Sequence, residues 1–165
     1  MGSWRAAAAA RILPPVLALS LIEVYVFRRR AGRIEFLCLR RSPKRILGGV
    51  WQPVTGKIRR GERAAAAAAR EVREEIGLAP RKMWALESVT IYFDPAANRA
   101  RVLPLFAAEI GPGDRVRLSP EHDAFGFLGA RAAGGRFLWE AQRRGLLAVR
   151  REVLARPRLA RALEI

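Results

Sequence analysis

From Gly56 to Leu78 the chain reads GKIRRGERAAAAAAREVREEIGL, and this stretch constrains the fold more than any other. It reads as a helix from about Glu62 to Glu75, stopped by Gly77 with Pro80 beyond it. Ala65, Ala68, Ala69, Val72 and Ile76 recur at helical spacing, and small alanines there let a helix lie close to a sheet. Glu71, Glu74 and Glu75 stand at i, i+3 and i+4, so they share a helix face, expected to point away from the apolar one. Like charges this close destabilise a helix unless something cationic neutralises them. In a chain of formal net charge +16 such a cluster runs against the background. A hard divalent cation with oxygen ligands resolves it, Mg²⁺ being the first candidate.

The spacing resembles the Nudix box, G-x5-E-x7-R-E-U-x-E-E-x-G-U, where U is a bulky aliphatic residue. Gly56, Glu62, Arg70, Glu71, Glu74, Glu75 and Gly77 fill the named positions, and Val72 and Leu78 the aliphatic ones. The resemblance implies an α/β fold, the Nudix-type α/β/α sandwich around a mixed β-sheet, and hydrolysis of a diphosphate linkage. It implies Glu71, Glu74 and Glu75 as ligands of Mg²⁺, with Mn²⁺ a possible substitute, and one of them as a candidate to deprotonate the attacking water. Arg70 would orient a glutamate through a charge-assisted bond, and Glu62 would cap or brace the helix start. Gly56 would permit the turn into the helix, and the backbone carbonyl of Thr55 is a further candidate ligand. Metal and carboxylates together suit the reaction, which needs phosphoryl charge neutralised and water made nucleophilic.

Two stretches extend the resemblance. Trp51-Gln52-Pro53-Val54-Thr55-Gly56 is similar to the W-Q-x-V-T-G lead-in of the dihydroneopterin triphosphate pyrophosphohydrolase branch. That branch also carries an Glu-His pair before its last strand, matched here by Glu121-His122, and an aromatic residue matched by Phe127. Carried over, Glu121 becomes a remote metal ligand or base, while His122 supports the metal ligands from behind, touches phosphate or is structural. Lys57, Arg59 and Arg60 lie where they could meet phosphate or simply face solvent. Trp51, Phe93, Phe125 and Trp139 are candidates to stack on a base or pterin ring, each with a core position as its alternative. Tyr92 and Pro95 do not stand at the offsets of other substrate subfamilies and are given no role.

At 165 residues the chain has room for one real core. Residues 1–12 read as a flexible, alanine-rich leader, and 13–165 as a single domain. Arg5 and Arg11 precede a hydrophobic run, Val16 to Phe27, that superficially resembles a signal or anchor. Pro14-Pro15, the internal Glu23 and the short length argue instead for a buried strand over 16–27. A turn at Arg28–Arg33, a strand at 34–40, a loop bounded by Ser42-Pro43 and Gly48-Gly49, and an extended segment at 50–54 lead into the helix. Strands follow near 84–93 and 102–110, then Val116–Leu118, a strand at 124–128, and a long helix from about Phe137 to Ala155. Cys38, the only cysteine, excludes an intrachain disulfide and reads as a small buried hydrophobe, consistent with a reducing, cytoplasmic setting. The single histidine, His122, excludes multi-histidine zinc sites.

Of the 31 basic residues only Lys44, Lys57 and Lys82 are lysine, a bias that genome composition alone could produce. The field is real whatever its origin, and draws in nucleotides, RNA and anionic lipids. The leading expectation is therefore a Mg²⁺-dependent pyrophosphohydrolase of a nucleoside or pterin triphosphate or a related X-diphosphate, monomeric or homodimeric, without stable membrane insertion. The alternatives are a pyrophosphohydrolase of RNA 5′ ends and a non-catalytic nucleotide- or RNA-binding module.

Overall fold

The computed structural model describes residues 19–165; the expected leader and the start of the strand expected at 16–27 lie outside them. The first strand, β1, runs Leu21–Arg30 and turns directly into β2, Arg33–Arg41. Its turn is only Ala31-Gly32, both at positive φ (48° and 72°), the geometry a two-residue hairpin needs to match strand twist. The turn is thus shorter than the expected Arg28–Arg33, because the basic residues around it continue the ladder: Arg28 pairs with Glu35, and Arg30 with Arg33.

Short strands β3, Trp51–Gln52, and β4, Val54–Lys57, precede helix α1, Ala64–Ile76. Strands β5, Lys82–Asp94, and β6, Arg99–Ile110, form a long hairpin, and β7 spans His122–Leu128. The central order is β3-β2-β1-β6-β5, with β4 on β1 and β7 on β2. β1 and β6 pair in parallel and the other strand pairs antiparallel, so the sheet is mixed.

Both faces of the sheet are covered, and β1 shows why. Ile22, Val24 and Val26 point to one side and join Ala67, Ala68, Val72 and Ile76 of α1 in a single core cluster. Tyr25 and Phe27 point to the other and join Phe36, Trp84, Leu146 and Val149. Strand period and helix period therefore agree on a three-layer α/β/α sandwich. Each fully buried aliphatic side chain contributes roughly 1.5–3 kcal/mol to this arrangement.

The helical parts depart from expectation in three places. Helix α1 begins at Ala64 rather than Glu62, because Gly61 adopts a left-handed φ of 77° and breaks the turn. The long C-terminal helix begins at Glu140 rather than near Phe137, and runs unbroken to Leu154. A short helix α2, Ala130–Arg136, comes first, then Phe137 turns extended, and α3 spans Glu140–Val149 before a wide turn at Arg150–Leu154. A last helix, α4, Pro157–Leu163, starts with proline in its first turn, where a missing N–H costs nothing. Gly134 and Gly135 hide α2 from sequence reasoning, since glycine opposes helix formation. Val116–Leu118 forms no strand. This segment instead runs past the end of α1, where Arg117 and Ser119 donate N–H to the carbonyls of Ile76 and Glu75. It satisfies acceptors that a helix end leaves open and delivers Glu121 beside the helix.

Candidate active site

Arg70 organises the acidic face of α1. Its Nε and Nη2 grip the two carboxylate oxygens of Glu62 at 2.8 and 2.9 Å. Its Nη1 donates to Glu71 at 2.7 Å and Glu74 at 3.0 Å, and Nη2 also reaches the carbonyl of Lys57 at 2.8 Å. A planar guanidinium serves this fork where an ammonium could not. Glu62 in addition accepts the backbone N–H of Arg59 at 2.8 Å, so it braces the lead-in turn instead of capping the helix. The Arg70 hydrogen bonds, followed by that backbone N–H, hold the Glu62 carboxyl down to about 2.

The three glutamates are not equally presented, contrary to the expected single outward face. Glu74 is half exposed and also meets Arg59 at 2.9 Å. Glu71 is largely covered and lies over Gly56, where any β-carbon would overlap its carboxylate. Gly56 sits inside β4 opposite Ile22, so its role is to leave that space and not to make a turn. Glu75 is only 4% exposed, on the core side of the helix. Burial, then the neighbouring charge of Glu71, push its carboxyl well above the ordinary range, while a backbone hydrogen bond from Thr55 pulls the other way and the charge of Glu121 adds to the rise.

Glu75 Oε2 has no hydrogen-bond partner, and His122 Nε2 lies 3.7 Å from it. The His122 side chain is itself fully buried, and burial lowers its pKa, so the neutral imidazole stands behind Glu75. The expected contact of His122 with phosphate is not available from there. Glu121 faces the opposite way, half exposed and 3.4 Å from Arg45.

A cleft of about 1080 Å³ runs along this face. Of the residues singled out from sequence, Thr55, Gly56, Lys57, Arg70, Glu71, Glu74 and Glu121 lie on its wall. Glu75, His122, Trp51 and Phe127 do not. Trp51 packs against the second core cluster beneath the guanidinium of Arg136, 4.6 Å from its ring centre. Phe127 is covered by Arg28 at 3.6 Å. Of the four stacking candidates, Phe93 and Trp139 reach the cleft, at 61% and 53% exposure. Tyr92 and Pro95, given no role from sequence, line it too. Arg41, Arg45, Glu23 and Gln142 also line it and went unassigned from sequence. Glu23 left a signal, a lone carboxylate inside an apolar strand, which served there only as an argument against a membrane anchor. Cys38 is buried, and its thiol is pushed up to about 12 by that burial, which removes it as a nucleophile.

The donor set suits a hard cation: carboxylates of Glu71, Glu74, Glu75 and Glu121 and the carbonyl of Thr55 supply oxygen only. Among the described residues no three acidic, histidine or cysteine side chains already converge as ligands. Arg70 and Arg59 instead hold Glu71 and Glu74. The buried, unpartnered Oε2 of Glu75 nevertheless fits a cation, because such an atom is costly to leave unsatisfied.

Comparison with known proteins places this geometry. The profile of the NUDIX domain matches residues 20–149. An octanoyltransferase of Myxococcus xanthus is 36% identical over 111 residues, which are 63% of this chain; the match spans 29% of that protein's length. Among solved structures, a NUDIX hydrolase from Listeria monocytogenes superposes with a TM-score of 0.71 at 20% identity, covering 83% of this chain and 95% of its own. The E. coli dihydroneopterin triphosphate pyrophosphohydrolase superposes at 0.66 with 21% identity, covering 76% and 90%.

Proposed function

The chain belongs to the Nudix family as a Nudix hydrolase, and from that premise we propose that it is a Mg²⁺-dependent pyrophosphohydrolase of a nucleoside or pterin triphosphate. The observation that carries this reading is the group of carboxylates Glu71, Glu74 and Glu121 on the wall of a cleft large enough for such a substrate, with the unpartnered Glu75 Oε2 buried behind them. The Trp51–Gly56 lead-in and the likeness to the E. coli pterin enzyme favour a triphosphate with a bicyclic head.

Glu71, Glu74, Glu75, Glu121 and the Thr55 carbonyl would hold the cation. When bound, it neutralises phosphoryl charge and acidifies water. Lys57, Arg41, Arg45 and Arg59 line the same end and bind the remaining phosphate oxygens. A carboxylate among Glu71, Glu74 and Glu121 accepts the proton of the attacking water. The water oxygen bonds to phosphorus, and the anhydride oxygen departs with the leaving phosphate or pyrophosphate. Arg70, whose donors are spent on Glu62, Glu71, Glu74 and Lys57, is a positioning residue and does not touch the substrate.

The test is product analysis after incubation with GTP, ATP and dihydroneopterin triphosphate, with Mg²⁺ or with chelator. Mg²⁺-dependent release of pyrophosphate or phosphate is expected, and strongly reduced in Glu74→Gln and Glu75→Gln. Undiminished activity in both variants would remove these residues from their assigned roles. A second reading, pyrophosphate removal from RNA 5′ ends, draws on the net charge of +16. Adding triphosphorylated RNA to the panel decides between them.

A further inference from the structure

The cleft has a second polar end that the hydrolytic chemistry does not use. Glu23 of β1 is 5% exposed and lies on its wall, on the sheet face opposite α1. The Tyr25 hydroxyl has two acceptors within reach, Glu23 Oε2 at 2.9 Å and the Gln142 carbonyl at 3.1 Å, and shares its single O–H between them, tying β1 to α3. Gly145 makes this contact possible, since a β-carbon there would overlap the Tyr25 hydroxyl. Burial raises the Glu23 pKa, while hydrogen bonds from Tyr25 and the Gln142 side chain oppose the rise. Gln142 is 4% exposed and also lines the cleft, and its Oε1 has no hydrogen-bond partner.

A chain does not normally bury a carboxylate and an unsatisfied amide oxygen at the rim of an open cleft. Both are acceptors: the amide oxygen has no donor, and the carboxylate, which accepts from Tyr25 and the Gln142 amide, keeps lone pairs for a ligand. The exposed rings of Phe93 and Trp139 line the same cleft, so a flat heterocycle has surfaces on which to stack. The Thr90 hydroxyl, on the same wall, adds a donor.

We propose that Glu23 and Gln142 form a specificity subsite for a heterocycle presenting adjacent N–H donors, the 2-amino-4-oxopyrimidine edge shared by guanine and pterin rings. The ring N–H and the exocyclic amine of that edge both donate to the acceptor pair, and the neighbouring carbonyl is matched by a donor such as Thr90. Adenine and cytosine place an acceptor nitrogen beside their amine, which would oppose the Glu23 lone pairs. Hypoxanthine keeps the ring N–H but lacks the amine. This inference rests on the proposed triphosphate hydrolysis for its placement of the phosphates, but its binding half stands without it.

The experiment has two arms. In metal-free buffer, binding of guanosine, neopterin, inosine and adenosine is followed by quenching of tryptophan fluorescence. With Mg²⁺, kcat/KM is measured for GTP, dihydroneopterin triphosphate, ITP and ATP. Donor-edge ligands are expected to exceed inosine and adenosine, or their triphosphates, by about tenfold or more, the usual worth of a hydrogen bond to a charged group. In Glu23→Gln and Gln142→Leu the preference is expected to collapse to within about threefold, since one acceptor is lost in each. A purely structural role for either residue would lower all ligands together and leave their ratios unchanged. Equal binding of guanosine, neopterin and inosine by the wild-type chain overturns the subsite. Selective binding without any triphosphate hydrolysis overturns the proposed reaction and leaves the subsite standing. Guanosine against neopterin separates the two sources of the edge.

Discussion

Gly56 can only be glycine because the Glu71 carboxylate occupies the space its β-carbon would take. Gly56→Ala must push that carboxylate aside, and displacement of a catalytic group by about 1 Å costs on the order of 100-fold in rate. Steady-state kinetics on the best substrate is expected to show that loss in kcat, with at most about 1–3 kcal/mol of overpacking cost in chemical denaturation. Glu62 makes a prediction about acid. Its folded pKa, about 2, lies below the ordinary 4.5, so its stabilising contribution is complete above pH 4.5 and fades as pH falls towards 2. Glu62→Gln should flatten that part of the stability curve in urea titrations between pH 2 and 6, whereas an unchanged acid limb would contradict the Arg70 network. Glu75 has the opposite sign. Its raised carboxyl favours the protonated form, so charging it costs stability as pH rises beyond 4.5 and through the folded value. Metal-free Glu75→Gln is therefore expected to melt above wild type at pH 7, and Mg²⁺ to raise the Tm of wild type alone.

At the scale of elements, α1 was legible because its evidence is contiguous: helix, carboxylates and stop all lie within one stretch of sequence. Its end depends on Gly77, at a φ of 70° with its N–H on the Arg73 carbonyl. Gly77→Ala forces an L side chain into the left-handed region and sets a β-carbon 3.2 Å from that of Arg117. A loss of about 1–2 kcal/mol in denaturant unfolding is expected. The other wall of the cleft was not legible in the same way. Glu23 and Gln142 meet only because β1 and α3 pack face to face around Tyr25, and no local spacing encodes that meeting. The stacking residues show the same limit. Trp51 and Trp139 are equally aromatic on the page, and only the path of the chain puts one in the core and the other at the cleft. Likewise α2 carries two glycines and owes its helix to packing of Ala133 against the sheet, a tertiary effect that outweighs propensity.

The whole molecule sets basic surface around an acidic centre. β-Branched and aromatic enrichment along β1 marks a buried strand, but not that residues from both its faces line one cleft. No helix among the described residues is long and apolar enough to cross a membrane. With a formal charge of +16, anionic substrates are drawn in at long range, and salt screens that attraction. Raising ionic strength from about 50 to 200 mM is expected to lower kcat/KM for triphosphates about threefold or more, chiefly through KM. The central claim is that Glu75, with Glu71 and Glu121, holds a divalent cation, and Mn²⁺ titration followed by electron paramagnetic resonance tests it most directly. Saturable binding by the wild-type chain, weakened about tenfold or more in Glu75→Gln, is the predicted result; equal affinity in the two proteins would contradict the account.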